Sequence, residues 1–263
     1  MLELYHNNMS VCAQKVRLVL AEKGVKATEH HLSLRAGDQQ KPDYVKLNPK
    51  AVVPTLVHDG VVITESTVIA EYLDEVFPEP ALSPADAAGR AAMRGWAKRP
   101  DERIHAACST VSNAIAFRHQ WLARGAAELE RIIERTPDPE RRAWRREIIA
   151  KGVESRPFGD AIRAYDKLLA DMEKALADSP FLAGADYTLA DVGITPYVNR
   201  LAMLRLDRMW AERLNVAAWY DRVRARPSFA AAIVAYDEDG YLSLMAEQGE
   251  AQWPAVAAAI EAA

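Results

Sequence analysis

The sequence predicts an α/β domain at the start of the chain and an all-helical domain after it. In the first 78 residues, β-rich runs and helical periodicities follow each other in the order β-α-β and then β-β-α. A segment with three prolines, 77-FPEPALSPADAAGR-90, comes next, and beyond it only helical periodicity is found. We therefore predict an α/β domain at 1–78, a linker at 79–89 and a helical domain at 90–263.

The first β-α-β unit is marked by signals at both ends of its helix. Residues 2-LELY-5 alternate in character and suit a strand, and 28-TEHHLSL-34 suits a second one. Between them Ser10 is a good N-cap and Gly24 a good C-terminal stop. The helical spacing predicts that one face is buried, with Cys12, Val16, Val19 and Leu20.

A hairpin and a third helix are predicted to complete the front domain. The stretch 52-VVPTLVHDGVVITES-66 has two β-rich runs on either side of Asp59-Gly60, a dipeptide typical of tight hairpin turns. Pro54 stands at the front of the first run, where a strand tolerates proline. Ser66 is expected to cap the helix that follows.

The remainder of the chain predicts helices only. Their expected ranges are 86–118, 121–135, 139–150, 159–177, 189–204 and 216–235, with a further helix in the tail at 236–263. Pro100 lies inside the first of them and is expected to bend it. Thr188 and Asp191 are three residues apart, which predicts a capping box with a role in folding.

Composition narrows the class of protein. The 263 residues carry a net charge of −4, with a pI near 5.9, which argues against a general nucleic-acid binder. The sequence has no run of about 20 apolar residues, so no membrane span is predicted. The N-terminus also lacks the layout of a signal peptide. Two cysteines, Cys12 and Cys108, cannot form a disulfide framework, so a reducing cytoplasm is the expected location.

Three short features of the front domain could carry chemistry, and each also has an ordinary structural explanation. Ser10 could stabilise an anion at a helix N-terminus, or it could be a plain cap. A cis bond between Val53 and Pro54 would turn the Val53 backbone towards a bound peptide, but a trans proline is more common. Glu65 and Ser66 could bind an ammonium and a carboxylate, or simply begin a helix.

Taken together, these features resemble the cytosolic glutathione transferases. The motifs that carry the resemblance are S-x-C-x-x-K-V-R-L-x-L-x-E-K-G from Ser10, N-P-x-x-x-V-P-T-L from Asn48, and E-S-x-x-I-x-E-Y-L from Glu65. In the helical half, T-L-A-D at 188–191 is similar to the second domain of that family. The resemblance covers essentially the whole chain and implies a thioredoxin-like front domain followed by a helical one.

The resemblance implies roles for individual residues. Ser10 occupies the position that faces the sulfur of glutathione, and Cys12 is then expected in the core. Val53, before a cis Pro54, would pair with the cysteinyl backbone of glutathione. Glu65 and Ser66 would hold the γ-glutamyl head.

The glycine end of glutathione is where the sequence departs from the family pattern. In several classes a polar side chain precedes Val-Pro, whereas here the two preceding residues are Ala51 and Val52. The contact to the glycine carboxylate is therefore expected from a residue elsewhere. The candidates are Gln39, Gln40, Lys41 and Lys50.

Within the family, the stretches 57–79 and 90–102 and the long insert at 118–158 are similar to bacterial β-etherases of the fulidane type. That resemblance implies a small hydrophobic electrophile, such as a lignin-derived β-aryl ether, as second substrate. The first long helix is expected to contact it through His105, Ser109, Asn113 and Phe117, which could equally serve packing. Family membership also implies a homodimer.

Three other functions compete with this one. A broad-specificity conjugating transferase would use the same glutathione site on other electrophiles. A non-enzymatic binding protein would keep the fold without the chemistry, although it would not need Ser10, Glu65 and Ser66. A thiol reductase would use Cys12, which is expected one turn inside the helix on the apolar face.

Overall fold

The computed structural model describes residues 1–134, 136 and 138–262. They form two compact units, each assembled from separate stretches of the chain. Unit 1 contains Met1–Asp101, Ala175–Pro196 and Ala218–Glu238, and unit 2 contains Glu102–Lys174, Tyr197–Ala217 and Asp239–Ala263. Helices from the later part of the chain thus pack with the α/β front in unit 1.

Unit 1 contains a four-stranded mixed sheet with the order β2-β1-β3-β4. The strands are β1 (Leu2–His6), β2 (Thr28–His31), β3 (Thr55–His58) and β4 (Val61–Thr64). β1 pairs in parallel with β2 and antiparallel with β3, and β4 pairs antiparallel with β3. The predicted α/β front is confirmed, although β2 ends three residues before the predicted end at residue 34.

The predicted hairpin turn between β3 and β4 is present. Asp59 and Gly60 both have positive φ angles, 49° and 85°, as a type I′ turn requires. Pro54 immediately precedes β3, so it removes no donor from the ladder, and the Val53-Pro54 bond is cis. The hairpin therefore brings residues 53 and 54 to the start of a strand, as the sequence predicts.

Three helices belong to the front of unit 1: α1 (Val11–Lys23), α2 (Pro42–Leu47) and α3 (Ser66–Val76). The predicted limits of α1 are confirmed, because the Ser10 hydroxyl accepts a hydrogen bond from Ala13 N and Gly24 ends the helix at φ 63°. The short helix α2 was not predicted. Its six residues are too few to produce a helical period in the sequence.

Two predictions about α1 and α3 are wrong in detail. Cys12 is half-buried rather than part of the core, because α1 is buried around most of its circumference and Cys12 lies on its more open side. Ser66 is the first residue of α3 and not its cap. The capping position is occupied by Glu65, which has a φ of 67° and makes no side-chain capping bond.

In the described part of the chain ten further helices follow, numbered α4 to α13. Their bounds are Ala87–Arg99, His105–Ser112, Arg118–Leu122, Ala126–Glu134, Pro139–Lys151, Arg156–Ala175, Leu189–Met203, Leu214–Arg224, Pro227–Ala232 and Asp239–Glu261. The predicted helical half is thus confirmed among the described residues, with an isolated β-bridge between Phe181 and Gly184. The predicted end of the second helix, Arg135, lies outside the described residues.

The first long helix differs from its prediction. Instead of one bend at Pro100, the chain forms π-helical turns at Pro100–Ile104 and again at Asn113–Phe117, with α5 between them. Proline removes a hydrogen-bond donor, which accounts for the first change of winding. π-helical turns are rare and are found frequently at functional sites.

The core of each unit is mainly apolar. In unit 1 the fully buried side chains include Leu4, Leu56 and Ile69, and in unit 2 they include Phe158 and Tyr165. No helix in the described part of the chain combines the length and apolar character needed to span a membrane.

Candidate glutathione site

The turn that precedes α1 is held by the side chain and carbonyl of Asn7. Asn7 Oδ1 accepts a hydrogen bond from Met9 N at 3.1 Å, and Asn7 O accepts one from Ser10 N at 3.2 Å. The side-chain nitrogen of Asn7, Nδ2, donates to Leu32 O at 3.0 Å, which connects the turn to the segment after β2. The start of α1 is therefore fixed before the helix begins.

Ser10 occupies this helix start in an extended conformation and is half-buried. Its Oγ accepts from Ala13 N at 3.3 Å, so the hydroxyl proton is available to donate to another group. The first turn of α1 has no acidic residue to offset the positive end of the helix dipole. An anion in front of Ser10 would meet both backbone N–H groups and a hydroxyl donor.

The loop that carries Val53 and Pro54 is braced by two buried polar side chains. Tyr44 OH donates to Val52 O at 2.5 Å, and Asn48 Nδ2 donates to the same oxygen at 3.0 Å. Burial raises the pKa of Tyr44, so its hydroxyl stays protonated as a donor. The braced carbonyl of Val52 fixes the peptide that leads into Val53.

Tyr44 and Asn48 were not among the predicted site residues. Both side chains also lie within hydrogen-bond distance of Thr55 Oγ1, at 2.9 Å and 3.1 Å. The Asn-Pro dipeptide of the motif that begins at Asn48 is a sequence signal for Asn48. Tyr44 has no such signal, because it lies in α2, which is too short to leave a periodic pattern.

The start of α3 holds Glu65 and Ser66 in different environments. The Glu65 side chain is 53% exposed, whereas Ser66 is 6% exposed. The positive φ at Glu65 is unusual for a residue other than glycine, and such conformations are often found at ligand sites. The first turn of α3 also lacks an acidic residue, so its N–H groups can receive a carboxylate.

The four candidates for the glycine end are spread over two segments. Gln39 and Gln40 lie in a 3₁₀ turn, where the Gln39 amide is 3.4 Å from Leu34 O and Gln40 is exposed. Lys41 pairs with Asp38 at 2.7 Å.

Lys50 lies beside a residue assigned to the opposite end of glutathione. Its ammonium is 2.7 Å from Glu65 Oε1. Both side chains are mainly exposed, so this ion pair contributes little to stability and can open for a ligand.

The predicted capping box at the start of α10 is present and fully buried. Asp191 accepts hydrogen bonds from Leu182 N and Thr188 N, each at 3.0 Å, and from Trp219 Nε1 at 2.8 Å. Burial raises the pKa of Asp191. The Thr188 hydroxyl is a fourth donor to it, at 3.4 Å. With these hydrogen bonds and no exposed surface, this carboxyl group serves the fold of unit 1.

The candidates for the second substrate all lie in unit 2. His105 is exposed, with its Nδ1 3.4 Å from Tyr197 OH. Asn113 donates to the carbonyl of the half-buried Ser109 at 2.8 Å.

Phe117 has aromatic and cationic neighbours in unit 2. The ring of Tyr241 lies edge-on to it at 5.8 Å, and the guanidinium of Arg200 lies 5.6 Å from its centroid. Of the four candidates, Phe117 thus has the surroundings that best suit an aromatic group.

Comparisons with known proteins agree with this geometry. The sequence profile described as "Glutathione S-transferase, N-terminal domain" matches residues 9–76, and the one described as "Glutathione S-transferase, C-terminal domain" matches residues 120–222. Protein LigF of Sphingobium sp. is 32% identical, with 86% of this chain and 91% of the relative covered. A tetrachloro-p-hydroquinone reductive dehalogenase of Sphingobium chlorophenolicum is also 32% identical, with coverages of 88% and 95%.

Solved structures show the same relationship. The crystal structure of beta-etherase LigF from Sphingobium sp. strain SYK-6 superposes with a TM-score of 0.80 at 30% identity, covering 89% of this chain and 99% of that one. The chain therefore belongs to the glutathione S-transferase family. It is an enzyme whose co-substrate is glutathione.

Proposed function

We propose that this enzyme ionises the glutathione thiol at the start of α1 and directs the thiolate at a lignin-type β-aryl ether. The observation that carries the proposal is the helix start at Ser10. The Ser10 hydroxyl can still donate its proton, and no acidic side chain in the first turn of α1 offsets the positive end of the helix dipole. We call this arrangement the open helix start. Ser10 is therefore assigned the catalytic role.

The energetic requirement on this site is modest. A free thiol has a pKa of about 8.5, and lowering it by about two units requires roughly 2.7 kcal/mol of differential stabilisation. A helix N-terminus contributes about 0.3–1 kcal/mol in exposed positions and up to about 2 kcal/mol when partly buried. A hydrogen bond to a charged acceptor contributes about 1.5–3 kcal/mol. Ser10 and the end of α1 can together meet the requirement.

Glutathione is proposed to bind along the edge formed by residues 53–66. Val53 would pair with the cysteinyl backbone, Glu65 with the α-ammonium, and Ser66 with the α-carboxylate at the start of α3. On binding, Glu65 would exchange Lys50 for the ligand ammonium, which frees Lys50 for the glycine carboxylate. Gln39, Gln40 and Lys41 stay alternatives for that end.

Calorimetry on two variants tests this arrangement. Glu65→Gln and Ser66→Ala should each weaken glutathione binding by about 1–3 kcal/mol, because a polar group of the ligand is left without its partner. Lys46→Gln is a matched control, since Lys46 forms a similar exposed ion pair, with Asp43 at 2.9 Å. Unchanged affinity in both site variants would remove the assignment.

The second substrate is proposed to be a two-ring β-aryl ether ketone. The thiolate sulfur would attack the carbon that bears the aryl ether, a C–S bond would form as the C–O bond breaks, and the phenolate would leave with the electron pair. Two observations support this class: the similarity to beta-etherase LigF and the aromatic surroundings of Phe117. The same helical stretch as Phe117 would contribute His105, Ser109 and Asn113 to the lining of the substrate site.

A second candidate function is attack of the thiolate on halogenated aromatic compounds. It is favoured by the equal identity to the reductive dehalogenase of Sphingobium chlorophenolicum. The discriminating experiment incubates the enzyme and glutathione with an aryl halide, a chlorinated hydroquinone and both enantiomers of a β-aryl ether ketone. Glutathione-dependent phenol release from one enantiomer is expected, whereas halide release without phenol would establish the second candidate.

Assembly and location are proposed with the same function. Val61, Val62 and Val68 of unit 1 are 60%, 40% and 55% exposed, which suits burial in a homodimer. Light scattering at several concentrations would measure the mass. Cys12 and Cys108 are present as thiols and not as a disulfide, which suits a cytoplasmic enzyme. We retain 1–78, 79–89 and 90–263 as its functional domains.

A further inference from the structure

We propose that Arg17 is a positioning residue that fixes the start of α1 at Ser10 and ties it to the segment at 227–236. This inference rests on the proposed function of Ser10. It concerns a residue of the α1 interior that touches neither of the proposed substrates and acts through the turn at residues 7–10.

Arg17 is 3% exposed, and its guanidinium reaches back over the turn that precedes its own helix. One terminal nitrogen donates to Asn7 O at 3.2 Å and the other to Asn8 O at 2.8 Å. Nε donates to Ala232 O at 2.8 Å. Three carbonyls from two distant parts of the chain therefore converge on one side chain.

The position of Ser10 depends directly on this arrangement. Asn7 O, which accepts from Arg17, also accepts from Ser10 N at 3.2 Å. The same oxygen thus links the guanidinium to the residue that begins the helix. Arginine suits this task because its planar fork holds several acceptors at fixed angles, whereas the single ammonium of lysine does not.

A second layer of side chains holds the guanidinium in place. His6 Nδ1 lies 3.0 Å from Arg17, and since arginine only donates, this nitrogen carries the lone pair. The other nitrogen of the ring faces Glu29 at 3.3 Å. Burial, together with Arg17, lowers the pKa of His6 to about 3, so the ring stays neutral and accepts.

The outer face of Arg17 is covered by Tyr236, at the end of the 3₁₀ turn Val234–Tyr236. The ring centroid lies 4.0 Å from the guanidinium carbon, and the hydroxyl donates to Glu29 at 2.5 Å. Ala232 and Tyr236 both belong to the segment after α11, so this late part of the chain closes over the support of Ser10.

This support matters for chemistry because the thiolate is stabilised by the direction of a few N–H groups and one hydroxyl. A small displacement of such donors weakens charge stabilisation strongly without abolishing binding. Loss of Arg17 should therefore raise the pKa of bound thiol and lower kcat, while the KM for glutathione changes little.

A variant of Arg226 is a matched control for effects that come only from the packing of α1 against α12. Arg226, at the N-cap of α12, forms a bidentate ion pair with Glu22 of α1, with both contacts at 2.7 Å, and Ser228 also bonds Glu22. Glu22 lies near the opposite end of α1 from Ser10. Arg226→Gln thus removes an arginine between the same two helices and leaves the turn at residues 7–10 in place.

The experiment compares Arg17→Lys and Arg17→Gln with Arg226→Gln. Thermal unfolding measures stability, and the thiolate absorbance of bound glutathione against pH measures the thiol pKa. All three variants should unfold at lower temperature. The Arg17 variants alone should raise the bound thiol pKa by about one unit and lower kcat about tenfold. Tyr236→Leu removes the ring over the guanidinium but leaves the hydrogen bonds of Arg17 in place. It should therefore shift the bound thiol pKa and kcat in the same direction by a smaller amount.

Each outcome decides the inference. An unchanged thiol pKa in Arg17→Lys and Tyr236→Leu, with a raised one in Ser10→Ala, overturns the positioning role and leaves the proposed function standing. An equal shift in Arg226→Gln assigns the effect to α1–α12 packing and also overturns it. If the wild-type enzyme does not lower the thiol pKa, the proposed function fails first and the inference falls with it.

Discussion

Two helix starts in unit 1 are built from similar residues and differ in what surrounds them. α1 begins after Ser10 and α10 begins after Thr188, and in each case the hydroxyl caps the first turn. At α10 the cap is buried, and Asp191 accepts four hydrogen bonds from groups around it, one of them from the Thr188 hydroxyl. At α1 the cap is half-buried, and the first turn has no acidic residue.

The difference separates a helix start that stabilises the fold from one that can bind an anion. At α10 the positive end of the helix is already offset by a carboxyl group of its own first turn. At α1 the same electrostatic property is left for a ligand. A hydroxyl residue before a helix is therefore not informative by itself, and its functional meaning depends on whether the surrounding chain has already supplied the anion.

The largest expected effect is on the buried helix start. Asp191→Ala should lower the free energy of unfolding by about 4 kcal/mol, because buried donors, including the Trp219 indole, lose their acceptor. Ser10→Ala should cost about 1 kcal/mol as an ordinary cap removal. Urea unfolding of both variants measures the difference.

Equal losses in the two variants would contradict the distinction between the closed and the open start. Thr188→Ser serves as the control, since it keeps the capping hydroxyl and should stay close to the wild type.

The support behind the open start predicts a pH dependence of stability. The folded pKa of His6 is about 3, because the ring is buried beside Arg17, and the unfolded value is about 6.5. Below about pH 6.5 the unfolded chain binds a proton that the folded chain does not. Stability is therefore present above that pH and falls by about 1.4 kcal/mol per pH unit as the pH drops towards 3.

His6→Gln removes this proton while keeping an amide that can both donate and accept. The stability difference between wild type and variant should shrink by about 2 kcal/mol from about pH 6.5 to about pH 4.5. Chemical unfolding at a series of pH values measures it. A difference that stays constant over this range would show that His6 is not the neutral support of Arg17.

The smallest expected effect concerns Cys12, the other candidate for chemistry at the start of α1. Cys12 is half-buried, so Cys12→Ala should cost about 1 kcal/mol or less and leave turnover unchanged. Activity and unfolding assays on the same preparation measure both. If Cys12→Ala abolishes turnover while Ser10→Ala is silent, the thiol reductase alternative replaces the transferase mechanism.

Local signals explain what the sequence could predict. Ser10 and Gly24 limit α1, and Asp59-Gly60 makes its turn, because each depends on the conformational preference of one or two residues. The capping box of Asp191 is predictable for the same reason, since three residues of spacing define it.

The parts that could not be predicted depend on distant contacts. A pattern with one apolar face does not describe a helix that is buried around most of its circumference, so it places Cys12 wrongly and gives no signal for Arg17. The assembly of Arg17, Ala232 and Tyr236 joins residues more than 200 positions apart. The pairing of Lys50 with Glu65 likewise follows from how the loop before β3 meets the start of α3.

One measurement tests the central claim most directly: the pKa of the glutathione thiol bound to the wild-type enzyme and to Ser10→Ala. Thiolate absorbance against pH, with free glutathione as reference, gives both values. We expect about 6.5 for the wild type, about two units below the free thiol, and about one unit higher for Ser10→Ala. A bound thiol that titrates near 8.5 in the wild type, or equally in both proteins, would contradict a catalytic role for the open helix start.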